Sequence, residues 1–516
     1  MKARLGRLGS SSWSRRWPWF VLLALSAALH LWQLGDRSFH HDEAIHAQLA
    51  YELAVDHCYR YDPTFHGPVL YFLTAATFLT VGDSDVTARL PIAIAGIALL
   101  WVAWRLRRPF GEQAAWWTGL LLTMSPLTLY FGRFLRMDVL EMLFASLALL
   151  ACYRAVHGKR SAWIWLGLWA GLAFATKENA YVTAALLAAT LFLFLLTRRL
   201  CWSLRGAIDF VGRHGVDAAG ALAVFILVTV LIYTVGFSFP EDWFFPGKAI
   251  TYWWQQHSIQ RVAGPWWYHL PRLAQYEFLI LGAATAWIVR RHRRAGDLEL
   301  ALYTFGVLSV GMYIYLGEKV PWLGVHQLWP FLPLAGAQLA RTMGPRGRWW
   351  SRSLAAVAIA ATAVASLSAS FVLDEISPTQ RRVESLHYVQ TCPELVALAR
   401  EVVAENPTEG DPLEVSVTGQ SVWPLRWYWR HLKVRWALPR PGDRPAAVVC
   451  DAKSAEVPRR FLGAGYQETE VPLRAWWLMY EGDPSWVQVA RYFLTRVPWS
   501  PIGSADVVVF RPQATD

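Results

Sequence analysis

The chain is 516 residues long, 55% hydrophobic and 14% aromatic, with 17% charged residues and a mean hydropathy of +0.25. That balance excludes an ordinary soluble domain and marks a polytopic membrane protein. The formal charge of +11 does not indicate a nucleic-acid partner. Residues 374–516 hold 16 Lys and Arg against 18 Asp and Glu, and the preceding residues hold 33 against 20, so the excess lies in the turns between spans, where topology places it.

The basic start through Arg16 leads into the apolar run from Trp17 to Trp32. This run is long for the apolar core of a signal peptide and lacks a clear A-x-A cleavage site, so it reads as a retained first span with a cytoplasmic N-terminus. With about 20 residues per crossing as the yardstick, about eleven spans are expected: 17–34, 86–104, 113–130, 136–153, 162–176, 180–197, 217–236, 272–290, 299–316, 326–341 and 353–373. The basic clusters then fall on alternate turns: Arg105, Arg107 and Arg108; Arg154, Lys159 and Arg160; Arg198, Arg199, Arg205 and Arg213; Arg290, Arg291, Arg293 and Arg294; Arg341, Arg346, Arg348 and Arg352. The positive-inside rule makes those turns cytoplasmic. The apolar stretch Val69 to Val81 is too short for a crossing and reads as a half-span or surface helix. Many of the 30 Trp residues adjoin charged turns, as expected of an interfacial anchoring belt.

Three long regions lie outside by this count, besides the short outer turns. The first outer loop covers residues 35–85. A second loop, 237–271, is rich in aromatics, including Trp243, Phe244, Phe245, Tyr252, Trp253, Trp254, Trp266 and Trp267; it suits a helix lying in the headgroups, as a plain anchor or as a surface for lipid tails or sugars. From residue 374 the apolar runs shorten. The segment around Leu398 to Val403 reads as helix, and Leu413 to Thr418, Ala446 to Cys450 and Val507 to Phe510 read as strands. A small extracytoplasmic α/β domain over 374–516 is expected to follow a mainly α membrane bundle over 1–373. The five Cys form no disulfide framework. Cys152 and Cys201 fall on the cytoplasmic side, while Cys58, Cys392 and Cys450 fall outside, where Cys392 and Cys450 can pair.

No C-x-x-C, P-loop, G-x-G-x-x-G or H-E-x-x-H is present, which excludes the common soluble chemistries. The chemistry-bearing segment is His40-His41-Asp42-Glu43-Ala44-Ile45-His46, just beyond the first span. Asp42 and His46 are four apart and share a helix face, with Glu43 pointing partly elsewhere. A partly buried carboxylate at the membrane surface is a candidate general base; the plain alternative is a solvated, capping carboxylate. His40, His41, His46 and His66 leave a divalent metal open, although their spacing is not that of a defined metal site. Further polar groups recur at the outer span ends: Arg133, Arg136, Asp138 and Glu141; Lys177, Glu178 and Asn179; Glu318, Lys319 and His326. Charges at span ends commonly snorkel or pair, which is the expectation for Arg133. Arg136, Lys177 and Lys319 suit a phosphate, since cations stabilise a bound phosphodiester and the charge that develops as phosphate leaves. His46, His66, Asp138, Glu178, Glu318 and His326 would then support the pocket.

An initial span followed by an outer-loop Asp42-Glu43 resembles the multi-span GT-C glycosyltransferases, particularly the superfamily of protein O-mannosyltransferases and lipid A aminoarabinose transferases. The segments Tyr61 to Pro68, Ser84 to Leu90, Arg136 to Asp138, Thr176 to Asn179 and Glu318 to Leu323 together resemble a prokaryotic branch described in archaea as flippase-activity-associated. The likeness covers most of residues 17–340. It implies a polyprenyl-phosphate sugar donor drawn from the bilayer, inverting transfer on the outer face of the plasma membrane, and no required cofactor. The family's base falls on Asp42, with Glu43 beside it. No β-trefoil-like insertion stands between the spans, so a glycan, lipid or protein acceptor is left open. Two alternatives remain: a non-catalytic accessory for flipping or export of lipid-linked sugars, and a metal-dependent hydrolase of lipid-linked phosphates.

Overall fold

The computed structural model describes residues 17–197, 204–259, 264–291, 293–405 and 414–513. The basic N-terminal run through Arg16, and Arg198, Arg199 and Cys201, lie outside the described residues.

A helix occupies each of the eleven apolar segments. By length and composition six helices of the described residues suffice to cross a membrane: Asp85–Phe110, Asp138–Val156, Asn179–Leu196, Ile208–Tyr233, Asp297–Tyr315 and Trp349–Val372. Others are shorter or broken. The segment expected over 113–130 divides into Glu112–Met124 and Pro126–Phe131, because Pro126 opens a new helix capped by the Ser125 side chain. The one expected over 272–290 starts as His269–Tyr276 and restarts at Phe278. In 326–341, Pro330 follows the one-turn helix Gly324–Leu328, and Pro333 sits in the first turn of Leu332–Met343. Val69–Val81 is a helix packed between the first-loop helix His41–Val55 and the span Asp85–Arg105.

Beyond the last apolar helix the chain builds one six-stranded mixed sheet in the order β1-β5-β6-β4-β2-β3. The strands are β1 Gln390–Thr391, β2 Glu414–Val417, β3 Lys433–Arg435, β4 Ala447–Asp451, β5 Tyr466–Trp476 and β6 Gly503–Pro512. The parallel pairs are β2 with β3 and β2 with β4; β5 and β6 form the long antiparallel ladder. The three expected strands became β2, β4 and β6, and the expected helix is Pro393–Glu405. β1, β3 and β5 read poorly in sequence, since two are three residues or shorter and the third is exposed over its first half. Cys392 and Cys450 are unbridged, each buried in a different apolar cluster.

The helix Val422–Tyr428 and the turn after it, between β2 and β3, seat the sheet region on the first outer loop. The Trp427 ring stacks between Phe39 and Phe78, with centroids 5.6 and 5.7 Å away, and its indole N–H donates to Asp85 at 2.8 Å. Arg430 donates to Asp83 at 2.5 Å, Arg426 to Glu52 at 3.0 Å, and the Phe39 N–H to the Tyr428 hydroxyl at 2.9 Å. This junction fixes the sheet against the loop that carries Asp42.

Candidate active site

The helix His41–Val55 begins where it does because His40 and Glu43 cap it reciprocally. The Asp42 N–H donates to His40 Nδ1 at 3.0 Å, and the His40 N–H donates to Glu43 Oε2 at 3.0 Å. With Nδ1 accepting, the His40 proton sits on Nε2 and is donated to the Tyr388 carbonyl at 2.7 Å. The first turn of this helix is thus tied to the chain entering β1.

Glu43, read from the sequence as pointing partly elsewhere, does not line the cavity. It is buried, and its two oxygens accept from Arg89 Nε and Nη2 at 2.8 and 2.9 Å and from the Leu135 N–H at 2.8 Å. One residue advances a helix by 100°, so the carboxylate next to Asp42 points into the protein and away from the cavity. Burial works against its charge, but Arg89 and Arg37 outweigh that effect and hold it at about 2. Glu43 positions the helix.

Asp42 faces a cavity of about 370 Å³. Its floor comes from His40, His41, Asp42 and His46, one side from His66 and Arg136, and another from Tyr252, Trp253 and Gln256 of the aromatic-loop helix Phe245–Ile259. Glu318 and Trp322 follow, and Tyr388, Val389 and Arg474 close it from the sheet side. Asp42 is 29% exposed and paired with Arg136, whose guanidinium lies 3.8 Å above the Trp322 ring. Burial raises the Asp42 pKa, but the Arg136 guanidinium beside it overcomes that effect, leaving the carboxyl well below the usual aspartate range.

The imidazoles have separate partners. Tyr71 donates its hydroxyl proton to the Phe65 carbonyl at 2.6 Å, so His46 Nδ1, 2.8 Å from that hydroxyl, is the donor. The His46 Nε2 lone pair, on the ring that lines the cavity, is buried without a donor among the described residues. Burial and Arg136 push the His46 pKa well down, so the ring is neutral. His66 contacts Glu178 at 2.7 Å. That contact requires Gly67, whose added Cβ would lie 2.2 Å from the Ala175 carbonyl oxygen, where Gly67 and Val69 donate to Thr176 and Ala175. His66 itself has φ 69° and ψ −165°, a conformation costing on the order of 1–3 kcal/mol that persists only where its surroundings enforce it. Among the described residues no group of three His, Cys, Asp or Glu is arranged to hold a metal, and His40, His41, His46 and His66 do not converge on one point.

The other expected cations are placed differently from the sequence reading. Lys177 is 2% exposed and donates to Asp138 at 2.6 Å; His326 lies 2.9 Å from Asp138 and 3.1 Å from Glu141. This buried cluster sits behind Arg136, whose Nε is 3.7 Å from Asp138. Lys319 donates to the carbonyls of Tyr313, Ile314 and Leu316 at 2.6–3.0 Å, closing the end of its preceding helix. Neither lysine lines the cavity. Arg133 likewise caps the first helix through the carbonyls of Leu29, Trp32 and Gln33. The cation that sequence reasoning missed is Arg474 of β5, which donates to His41 Nδ1 at 2.6 Å and to the Gln420 and Trp423 carbonyls at 3.1 and 2.9 Å. Burial lowers its pKa, while Asp42 supports its charge. No local pattern around Arg474 signals this role.

Residues 65–233 match the family of dolichyl-phosphate-mannose-protein mannosyltransferases. The solved structure of ArnT from Cupriavidus metallidurans bound to undecaprenyl phosphate superposes with a TM-score of 0.62 at 16% identity, covering 98% of this chain and 99% of that one. Its apo form gives 0.61 at 17% identity, with 97% and 98% covered. The chain has the GT-C glycosyltransferase fold. Among curated relatives, an undecaprenyl phosphate-alpha-4-amino-4-deoxy-L-arabinose arabinosyl transferase of Pseudomonas fluorescens is 26% identical over 354 residues, 63% of this chain. The match spans 60% of that relative's length. Within the GT-C fold of this chain, the first-loop helix supplies the cavity floor, neighbouring helix ends and connecting segments its sides, and the sheet region its cover.

Proposed function

We propose that this membrane protein moves a sugar from a polyprenyl-phosphate donor to an acceptor hydroxyl outside the plasma membrane, with inversion. The observation that carries this reading is Asp42, a carboxylate that lines the cavity and is paired there with Arg136, which lines it too. The GT-C fold, the match to mannosyltransferases that use dolichyl phosphate, and the undecaprenyl phosphate bound by the ArnT neighbour support the donor class. In this reading residues 1–373 embed the catalytic part, with the N-terminus cytoplasmic, and residues 374–516 cover it from outside.

The donor phosphate draws Arg136 toward itself, so that one guanidinium neutralises the leaving group and releases Asp42 from its ion pair. Asp42, no longer paired, takes the proton of the acceptor hydroxyl. The acceptor oxygen bonds to the anomeric carbon as the bond from that carbon to the phosphate oxygen breaks, and the polyprenyl phosphate leaves with the electron pair. The neutral His46 Nε2, one helical turn from Asp42, accepts a hydrogen bond from a sugar hydroxyl. Lys177 and His326 hold Asp138, and Asp138 orients Arg136. The residues present complete this sequence without a resident metal or nucleotide.

The test is sugar release from a panel of radiolabelled polyprenyl-phosphate sugars in liposomes, wild type against Asp42→Asn. Turnover in the wild type and its loss in the variant are expected, with the product distinguishing acceptor from water. Equal binding without turnover in both proteins would assign the cavity to an accessory role.

A further inference from the structure

The helix Trp486–Thr495, between β5 and β6, presents an apolar face that none of the described residues covers. Trp486, Val487 and Leu494 are 88%, 77% and 85% exposed, and Ala490 is exposed with them. At 100° per residue these four positions fall within one arc of about 100°. The exposed Gln488, Arg491 and Thr495 occupy the adjoining arc, and Tyr492, buried, with the half-buried Val489 and Phe493, faces the sheet. The helix therefore has three distinct sides: one to the protein, one polar with a single cation, and one apolar and unpartnered.

Its place in the fold identifies what meets the third side. Arg496, which ends the helix, donates from Nε to Glu384 at 2.8 Å, and Glu384 also accepts from Ser368 at 2.8 Å and from Tyr276 at 2.5 Å. Ser368 directly follows the apolar helix Trp349–Leu367, and Tyr276 lies two residues before the helix Phe278–Arg291. The opposite ends of those two helices carry Arg348, Arg352, Arg290 and Arg291. Both therefore meet the Glu384 node at their outer ends, at the level of the headgroups.

We propose that the Trp486–Leu494 face lies in the outer leaflet of the bilayer that the chain spans, and so pins the sheet and Arg474 over the cavity. Trp486 suits the headgroup layer, Val487 and Leu494 enter the upper acyl region, and Arg491 sits at the phosphates on the adjoining side. The anchoring adds to the junction at Trp427 and Arg430.

The experiment uses the full chain with Cys58→Ser as parent. Single cysteines at Trp486→Cys, Leu494→Cys and Gln488→Cys are nitroxide-labelled, reconstituted into phosphatidylethanolamine–phosphatidylglycerol vesicles, and corrected for the parent's own labelling. Collision with lipid-soluble oxygen is compared with collision with a water-soluble nickel chelate. The ratio is expected to favour oxygen at 486 and 494 and to reverse at 488, unchanged when the protein-to-lipid ratio is lowered tenfold. Aqueous behaviour at 486 or 494 overturns the proposal. So does oxygen preference that disappears on dilution in lipid, which assigns the face to a second copy of the chain.

Discussion

Asp42 and Glu43 are neighbours in sequence and both pair with arginine, yet they belong to different regions of the molecule. Glu43 and Arg89 are sealed in the protein, and every oxygen of that carboxylate is satisfied from within. Asp42 and Arg136 border a cavity, and the carboxylate is 29% exposed. A sealed pair can only fix geometry; an open pair can exchange partners when a ligand arrives. The distinction lies in burial rather than residue type, so each pair should fail in its own way when broken.

The largest effect is expected at the open pair. Asp42→Asn should lower turnover by about 10²–10⁴-fold, the range typical of a lost general base, while the melting temperature in detergent stays near that of the wild type. A variant that unfolds, or one that keeps full turnover, would end the assignment of Asp42 as base. Glu43→Gln should do the reverse. Removing one partner of a buried ion pair costs about 3–5 kcal/mol, read as a lower thermal midpoint, with any residual folded enzyme still active. The sign in pH follows from the depressed carboxyl: with a folded pKa of about 2 against an ordinary 4.5, its stabilisation is complete above pH 4.5 and disappears as pH falls toward 2. Glu43→Gln should flatten the melting curve in that window only.

These two residues also show what the sequence made legible. The mainly helical bundle followed by a small sheet could be read from hydropathy and from the change in periodicity after residue 373, and the segment His40 to His46 could be read as the start of a helix. Which carboxylate faces inward could not, because that depends on Arg89, 46 residues away. Lys177 and Lys319 looked like phosphate ligands because their charge is visible in sequence, whereas their partners, Asp138 and a set of backbone carbonyls, are supplied by folding. Arg474 meets His41 across 433 residues, in a strand with weak alternation, and no local signal connects the two. The breaks at Pro126 and Pro330 were available from proline chemistry, but hydropathy windows average over them.

Arg474 sharpens the comparison at an intermediate magnitude, since it brings a charge from the sheet to the open region. Arg474→Ala should reduce turnover about 10-fold, corresponding to about 1.4 kcal/mol. Arg474→Lys should restore only part of it, because the lysine side chain is one atom shorter and lacks the planar fork that carries Nη2 to His41 and both carbonyls. A full rescue by lysine would reduce the role to simple charge.

The smallest effect is a pH dependence of stability near neutrality that separates the open region from the sealed one. His40 and His46 are buried beside Arg136, and their pKa values are lowered, that of His46 well below 6.5. Such groups are neutral in the folded chain and take up protons on unfolding, so their contribution is present above the ordinary histidine pKa and is lost as pH falls below about 6.5. Glu43 is silent over that interval. The melting temperature should therefore begin to fall between pH 7 and 5, before the carboxylate window opens. His46→Asn, which retains a donor toward Tyr71 and removes the titrating ring, should reduce that early slope while leaving the slope below pH 4.5 intact. If the early slope survives His46→Asn unchanged and vanishes in Glu43→Gln, the neutral-imidazole account of the cavity floor is wrong.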